Sequence, residues 1–199
     1  MSQAIVATDY LSRPQKIEPR PVCAVVGDDA FLKREVLRVL RAAVLGGHDA
    51  EFSLSTFEGR TARLGDVLDE LATVAMFGGD RRMVIVEAAD EGVKLKKKDD
   101  QSAESAEGET SAFVSRYRAE LEDYVAAPSG SGVLVLELKS LPANTRLYKA
   151  VAADGLVIDA SSPPPVKLPK WLGGWATSRH QAKLPAPAAE LLVEAIGPE

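Results

Sequence analysis

Short apolar runs alternate with amphipathic segments along most of the chain, a pattern typical of strands separated by helices. The apolar runs that predict strands cover residues 21–26, 51–57, 83–86, 132–138 and 156–158. Between them, apolar side chains recur at helical spacing over residues 29–43, 64–75, 113–125 and 145–152. Several predicted strands are almost entirely apolar, as strands buried on both faces are. The sequence therefore predicts an α/β fold with a mostly parallel sheet and flanking helices.

The predicted α/β domain occupies residues 21–162, between two segments of different composition. Residues 1–20 contain two prolines and little periodicity, so they are predicted to form a flexible leader. Residues 90–110 are polar, low in complexity and free of aromatics, which predicts a mobile insertion. After the proline-rich stretch SSPPPVKLP, residues 163–199 are predicted to form a linker and two helices. Two helices are too few for a core of their own, so we expect them to be part of a second, helical domain.

The composition narrows the class of protein without identifying it. The chain has 199 residues, 46% of them apolar and 27% charged, which suits a soluble domain with a substantial core. A net charge of −5 argues against a general affinity for nucleic acid phosphates. Cys23 is the single cysteine and lies in an apolar run, which predicts a buried thiol and a reducing compartment. No run approaches the roughly 18 apolar residues of a membrane span, so we expect a soluble cytoplasmic protein without membrane contact.

The stretch VVGDDAFLKREV, residues 25–36, has the outline of a phosphate-binding corner, because a strand ends in Gly27 and a helix follows at once. A phosphate-binding loop needs further glycines, a lysine and a hydroxyl, so that backbone N–H groups and positive charge surround the phosphates. This corner offers Asp28 and Asp29 instead. Carboxylates at a helix N-terminus satisfy its free N–H groups and repel an incoming phosphate. The corner is therefore predicted to be a degenerate phosphate loop that is closed to nucleotide.

The acidic pair leaves a second interpretation open, in which Asp28 and Asp29 bind magnesium in a nucleotide-binding or phosphoryl-accepting enzyme. A phosphoryl-accepting fold also needs an acceptor aspartate at the end of the third strand, where this chain has Glu87 and then Asp90. That is a poor match to the pattern. The remaining chemistry is sparse, since the two histidines are far apart and no metal-spaced cluster accompanies them.

Taken together, several segments resemble the delta subunit of bacterial DNA polymerase III, a member of the clamp-loader complex. They are VVGDDAFLKREVLRVLRAA, FSLSTFEG, ELATVAMFGGDRRMVIVEAAD, GVLVLEL and TRLYKAVAADGLVIDASSPP, and the match runs in order from about residue 22 to residue 197. The resemblance implies an ATPase-like α/β domain that does not itself bind ATP, followed by a small helical lid domain. By the same resemblance, we expect the family's collar domain to be absent from this sequence.

The resemblance also implies where the chain makes its contacts. The family's apolar pair that enters a pocket of the ring-shaped sliding clamp falls at Met76 and Phe77, directly before Gly78-Gly79. From spacing alone, a pair that merely closes the sheet edge is an equal alternative. Arg146 and Lys149 match the family's ordered pattern, which implies that one of them faces a neighbouring subunit or DNA. Two solvated charges flanking a buried leucine fit them as well. Trp171 and Trp175, four residues apart, are expected to pack the joint between the domains.

The function expected from this resemblance is that of a non-catalytic subunit, which binds the sliding clamp and promotes ring opening during DNA replication. Such a subunit needs no cofactor of its own. Its expected partners are the clamp, the other clamp-loader subunits and, within the complex, primer-template DNA. The magnesium-dependent enzyme using Asp28 and Asp29 remains the alternative.

Overall fold

A computed structural model describes residues 4–46, 53–73, 81–92 and 111–196 of the chain. Its strands are β1 (Ile5–Val6), β2 (Val22–Val26), β3 (Leu54–Glu58), β4 (Arg82–Glu87), β5 (Gly132–Leu138) and β6 (Leu156–Asp159). Its helices are α1 (Ala7–Ser12), α2 (Ala30–Leu45), α3 (Leu64–Ala72), α4 (Phe113–Arg116), α5 (Arg118–Ala126), α6 (Arg146–Asp154), α7 (Leu168–His180) and α8 (Ala186–Ile196).

The strands form one six-stranded sheet in the order β1-β6-β2-β5-β4-β3, and every neighbouring pair is parallel. The predicted α/β class with flanking helices is confirmed. β2 pairs with both β5 and β6, so the first predicted strand lies in the interior of the sheet. Its all-apolar sequence suits that place, because both of its faces are covered.

Two apolar cores lie on opposite faces of the sheet, since successive side chains of a strand point to opposite sides. Ala24, Val84 and Leu134 belong to the core that α3, α4, α5 and α6 cover. Cys23 and Val25 point the other way, into the core covered by α1 and α2. Cys23 is fully buried as predicted, and this burial raises the pKa of its thiol to about 12. Of the described helices, none is both long and apolar enough to cross a membrane.

The interpretation of residues 1–20 as a flexible leader is wrong for the part that the structure describes. β1 pairs with β6 at the edge of the sheet, and α1 packs against α2 and α7. Ala7, Tyr10 and Leu11 are buried in the same core as Cys23. A six-residue helix can bury only these three side chains, so its periodicity is too brief to stand out in the sequence.

Two further predictions are corrected. Asp90, the first residue of the mobile insertion predicted for residues 90–110, is held in place, because it accepts hydrogen bonds from the backbone N–H groups of Lys139 and Ser140, at 2.9 and 2.8 Å. The remainder of that insertion, residues 93–110, lies outside the described residues. The helix predicted over 113–125 is two helices, since Tyr117 leaves helical geometry with φ −118° and ψ 30°.

The proline-rich linker ends sooner than its composition suggests. Pro165–Lys167 forms a short 3-10 turn, and α7 begins at Leu168 with Pro169 in its first turn. Proline is tolerated there because the first N–H groups of a helix have no partner within the helix. The linker is therefore a short connection from β6 into α7.

Candidate functional site: the closed strand–helix corner

Gly27 makes the turn between β2 and α2. Its φ of +150° is one that other residues rarely adopt, and a Cβ on it would lie 2.2 Å from the carbonyl carbon of Ala160. The Gly27 N–H donates to the carbonyl of Leu138 at 3.0 Å. The carboxyl ends of β2, β5 and β6 therefore meet at this glycine. The space around Gly27 is too small for a side chain at this position.

Asp29, one of the two aspartates predicted to lie at this helix N-terminus, is the N-cap of α2. One carboxylate oxygen of Asp29 accepts a hydrogen bond from the N–H of Leu32 at 2.9 Å. Its own N–H donates to the carbonyl of Ala160 at 3.2 Å. The helix N-terminus thus has an anionic acceptor from its own chain, where a phosphate-binding corner would present free N–H groups.

Asp28 ties the corner to the linker that follows β6. Its carboxylate accepts a hydrogen bond from the N–H of Ser162 at 3.2 Å. The Ser162 hydroxyl lies 3.4 Å from the second carboxylate oxygen of Asp29, at the long end of hydrogen-bonding distance. Both aspartates are therefore engaged with protein donors, and together they place two negative charges at the mouth of the corner.

Lys33, in the first turn of α2, pairs with a strand residue. Its ammonium lies 2.8 Å from a carboxylate oxygen of Glu137 on β5, with the two side chains only 13% and 18% exposed. This partial burial makes the pair stronger than a surface ion pair. Sequence reasoning missed Glu137, although a single charge inside the apolar run GVLVLEL was a signal that it needed a partner.

The carboxylates at this edge of the sheet do not converge on a common centre. Among the described residues, no group of three or more histidine, cysteine, aspartate or glutamate side chains could hold a metal ion. Asp90, the residue considered as a phosphoryl acceptor, is held by two backbone N–H groups of the loop after β5. The geometry offers no support for the magnesium-dependent alternative.

The proposed clamp-contacting pair, Met76 and Phe77, lies outside the described residues. The helix before it is shorter than predicted, because Thr73 has extended dihedrals and α3 ends at Ala72. The carbonyl of Leu71 accepts hydrogen bonds from the hydroxyls of Ser131 at 3.0 Å and Ser129 at 3.3 Å. The C-terminal end of α3 is thus fixed to the loop before β5.

Arg146 and Lys149 both lie on α6 and are exposed, while Leu147 between them is buried. Arg146 borders a pocket of about 420 Å³ between α5 and α6, together with Arg118 and Glu122. Neither residue lies in the corner around Gly27. The structure thus places them on a separate surface, which is compatible with either interpretation of their role.

The tryptophans lie at the joint between the sheet and the last two helices, as predicted. Trp171 and Trp175 stack with ring centroids 5.3 Å apart. Each also makes a T-shaped contact with the ring of Phe31 on α2, at centroid distances of 6.4 Å for Trp171 and 5.8 Å for Trp175. Both pack against the core that contains Cys23. Phe31, two residues after the cap, therefore links the corner to α7.

No protein-family model matches the chain, and no curated protein sequence matches it. Among solved structures, the chain is similar to the DNA clamp loader delta protein of Bacillus subtilis, with a TM-score of 0.69 and 24% identity over 94% of this chain. The chain spans 51% of that protein's length. A HORMA:CdnC:Trip13 complex of E. coli is also similar, with a TM-score of 0.45 and 18% identity, covering 96% of this chain and 62% of the other. The resemblance to delta subunits drawn from the sequence is thus confirmed at the level of the fold.

Proposed function

We propose that this chain acts as a clamp-loader delta subunit, which binds a sliding clamp and favours its opened form without hydrolysing ATP. The observation that carries the proposal is the fold shared with the Bacillus subtilis clamp-loader delta protein over 94% of this chain. The ordered sequence segments that resemble the delta family point to the same role. Fold alone does not define function, so the proposal also needs the local features described next.

The closed corner supports a role without nucleotide hydrolysis. Asp29 caps the helix N-terminus, Asp28 holds the linker, and Lys33 is paired with Glu137. A triphosphate at this position would meet two carboxylates, with Lys33 already paired. In the proposed mechanism, nucleotide-dependent control comes from partner subunits, which expose or cover the clamp-contacting segment of this chain.

Ring opening requires a difference in affinity and no chemical step. A subunit that binds the open ring more tightly than the closed ring shifts the equilibrium toward the open form by that ratio of affinities. Each tenfold ratio corresponds to about 1.4 kcal/mol. A binding surface that fits only the opened or relaxed ring is therefore sufficient for the proposed function.

We place the clamp contact at Met76 and Phe77, which follow α3. Methionine adapts to irregular apolar pockets and phenylalanine is a frequent anchor, so each would contribute roughly 2–4 kcal/mol to binding as a hot spot. Support for this position comes from the anchoring of the preceding turn, where two serine hydroxyls bind the Leu71 carbonyl. A fixed attachment lowers the entropy lost when the segment binds.

The proposed partners are the sliding clamp and the other clamp-loader subunits in the cytoplasm, with primer-template DNA contacted only in the assembled complex. Arg146 and Lys149 are exposed cations on α6, and we assign them to a subunit or DNA contact in that complex. The net charge of −5 makes DNA binding by this chain alone unfavourable.

Equilibrium binding of the chain to a bacterial sliding clamp tests the proposal. A Met76→Ala/Phe77→Ala double variant is expected to lose most of the affinity while its far-ultraviolet circular dichroism stays unchanged. The matched control is Leu191→Ala/Ile196→Ala, which removes two apolar side chains of α8 that are 65% and 70% exposed. The control is expected to bind as the original chain does. Equal binding by all three proteins would remove Met76 and Phe77 from the contact, and no binding by the original chain would oppose the clamp role of this chain.

A further inference from the structure

An apolar pocket of about 340 Å³ lies between the N-terminus of α2, the linker after β6 and the helices α7 and α8. This volume is at the lower end of the range typical of small-molecule sites. None of the residues that line it belongs to the segment proposed for the clamp contact. Its apolar wall includes Phe31, Leu32, Leu168, Trp171, Leu192 and Ile196.

The described residues that line the pocket carry negative charge only. Among the described residues that line the pocket, Asp29 is the only charged one, and the others are apolar or aromatic. One oxygen of the Asp29 carboxylate accepts from the N–H of Leu32 at 2.9 Å, and the other lies 3.4 Å from the Ser162 hydroxyl. A carboxylate can accept about four hydrogen bonds, so acceptor capacity remains. Asp28 adds a second negative charge beside it. A ligand that matches this lining brings donors or positive charge and no anionic group.

The aromatic side chains favour the same kind of ligand. The faces of Trp and Phe rings carry negative potential, so they attract cations as well as flat apolar groups. Phe31 already shows this preference, because the guanidinium of Arg34 lies over its ring at 5.4 Å. Trp171 both lines the pocket and stacks on Trp175, which fixes its ring in place.

We propose that this pocket binds a small, flat aromatic cation, of the aromatic amidine, guanidine or amine class, with its charged end against Asp29 and its ring among Phe31, Trp171 and the leucines. We infer a positively charged ligand from the negative charge of the lining. We infer a flat ring from the size of the pocket and its aromatic walls. Anionic ligands are excluded by the same two aspartates that close the corner to phosphate.

Benzamidine, benzamide and benzoate test the proposal, because they share one ring and differ in charge from positive to neutral to negative. Binding to the full chain is followed by tryptophan emission, since both tryptophans of the sequence lie at this joint. A Trp175→Phe version leaves Trp171 as the single reporter in the pocket wall. Benzamidine is expected to bind saturably and about tenfold more tightly than benzamide, because a charge-assisted hydrogen bond is stronger than a neutral one. Benzoate is expected to show no saturable binding.

Two substitutions separate the site from non-specific binding. Asp29→Asn keeps the helix cap, since asparagine caps as well as aspartate, and is expected to lower benzamidine affinity about tenfold, to the level of benzamide. Leu192→Ser alters the pocket wall and is expected to weaken all binding, whereas Leu191→Ser alters a neighbouring side chain outside the lining and is expected to change nothing. Equal affinity for the three probes, binding unaffected by Asp29→Asn, or the absence of saturable benzamidine binding would each overturn the proposal.

Discussion

Gly27 is the residue at which three stretches of backbone meet, and its substitution should be among the least tolerated in the chain. Gly27→Ala is expected to lower the free energy of unfolding by about 2–4 kcal/mol, because the added Cβ would collide with the Ala160 carbonyl in a backbone conformation that alanine avoids. Urea denaturation followed by circular dichroism measures the change.

Gly65→Ala is the matched control for this prediction. Gly65 lies in α3, and a Cβ on it would meet nothing within 4 Å. This substitution is expected to raise the free energy of unfolding by up to about 1 kcal/mol, since alanine is the better helix former. Equal effects of the two substitutions would contradict the assignment of Gly27 as the point where the backbones crowd.

Glu91 joins two loops at the edge of the sheet where the corner lies. Its carboxylate contacts Lys139 at 2.5 Å and Arg60 at 2.6 Å, and these hydrogen bonds, that of Lys139 first, lower the pKa of Glu91. A carboxyl with a lowered pKa in the folded state contributes stability above its unfolded pKa, and this contribution is lost as the pH falls through the folded value.

Glu91→Gln should therefore lower the urea midpoint slightly at pH 7 and have no effect at a pH well below the ordinary carboxyl range. The effect is expected to be small, because the side chains of Lys139 and Arg60 are 66% and 45% exposed and solvent screens the charges. Midpoints of both proteins at neutral and acidic pH give the comparison. A difference that persists unchanged in acid would show that the glutamate acts through something other than its charge.

At the scale of elements, the amino-terminal strand and helix test how much the sheet depends on its edge. Leu11→Ala is expected to cost about 2–4 kcal/mol of unfolding free energy, because Leu11 is buried in the core between α1, α2 and the sheet. Asp9→Ala, an exposed position on the same helix, is expected to change stability by no more than about 0.5 kcal/mol. If Leu11→Ala changed the denaturation midpoint as little as Asp9→Ala does, this segment would instead be a loose leader.

The central strands could be predicted because each of them is an apolar run long enough to be distinctive. Gly132–Leu138 is such a run, and its bounds in the structure are those predicted. Ile5–Val6 has only two residues and α1 only six, so neither shows a period before the chain reaches Pro14. Their place in the fold depends on contacts with β6 and α2, which are far away in the sequence.

The corner shows the same division between local and distant interactions. The cap by Asp29 could be predicted, because its partner is three residues away and the motif is local. Ser162 could not be predicted as the partner of Asp28, since 134 residues separate them and only the parallel pairing of β2 with β6 brings them together. Pairing of Lys33 with Glu137 depends in the same way on the pairing of β2 with β5.

At the scale of the whole molecule, the corner also joins the sheet to the last two helices. Asp28 holds the linker through Ser162, and Phe31 holds α7 through Trp171 and Trp175. Asp28, which places a negative charge at the corner, thus also holds the linker that leads to the helical pair. The corner is therefore a joint between the sheet and the last two helices.

Titration with ATP and magnesium separates the two functions considered for the molecule. No saturable binding is expected, because the two carboxylates at the helix N-terminus repel the triphosphate and Lys33 is paired with Glu137. Isothermal titration calorimetry on the original chain, Asp28→Ala and the surface control Asp154→Ala makes the measurement. Saturable binding that Asp28→Ala weakens and Asp154→Ala leaves intact would favour the magnesium-dependent enzyme. Binding that strengthens in Asp28→Ala alone would instead show that the charge of Asp28 is what excludes nucleotide from an otherwise competent corner.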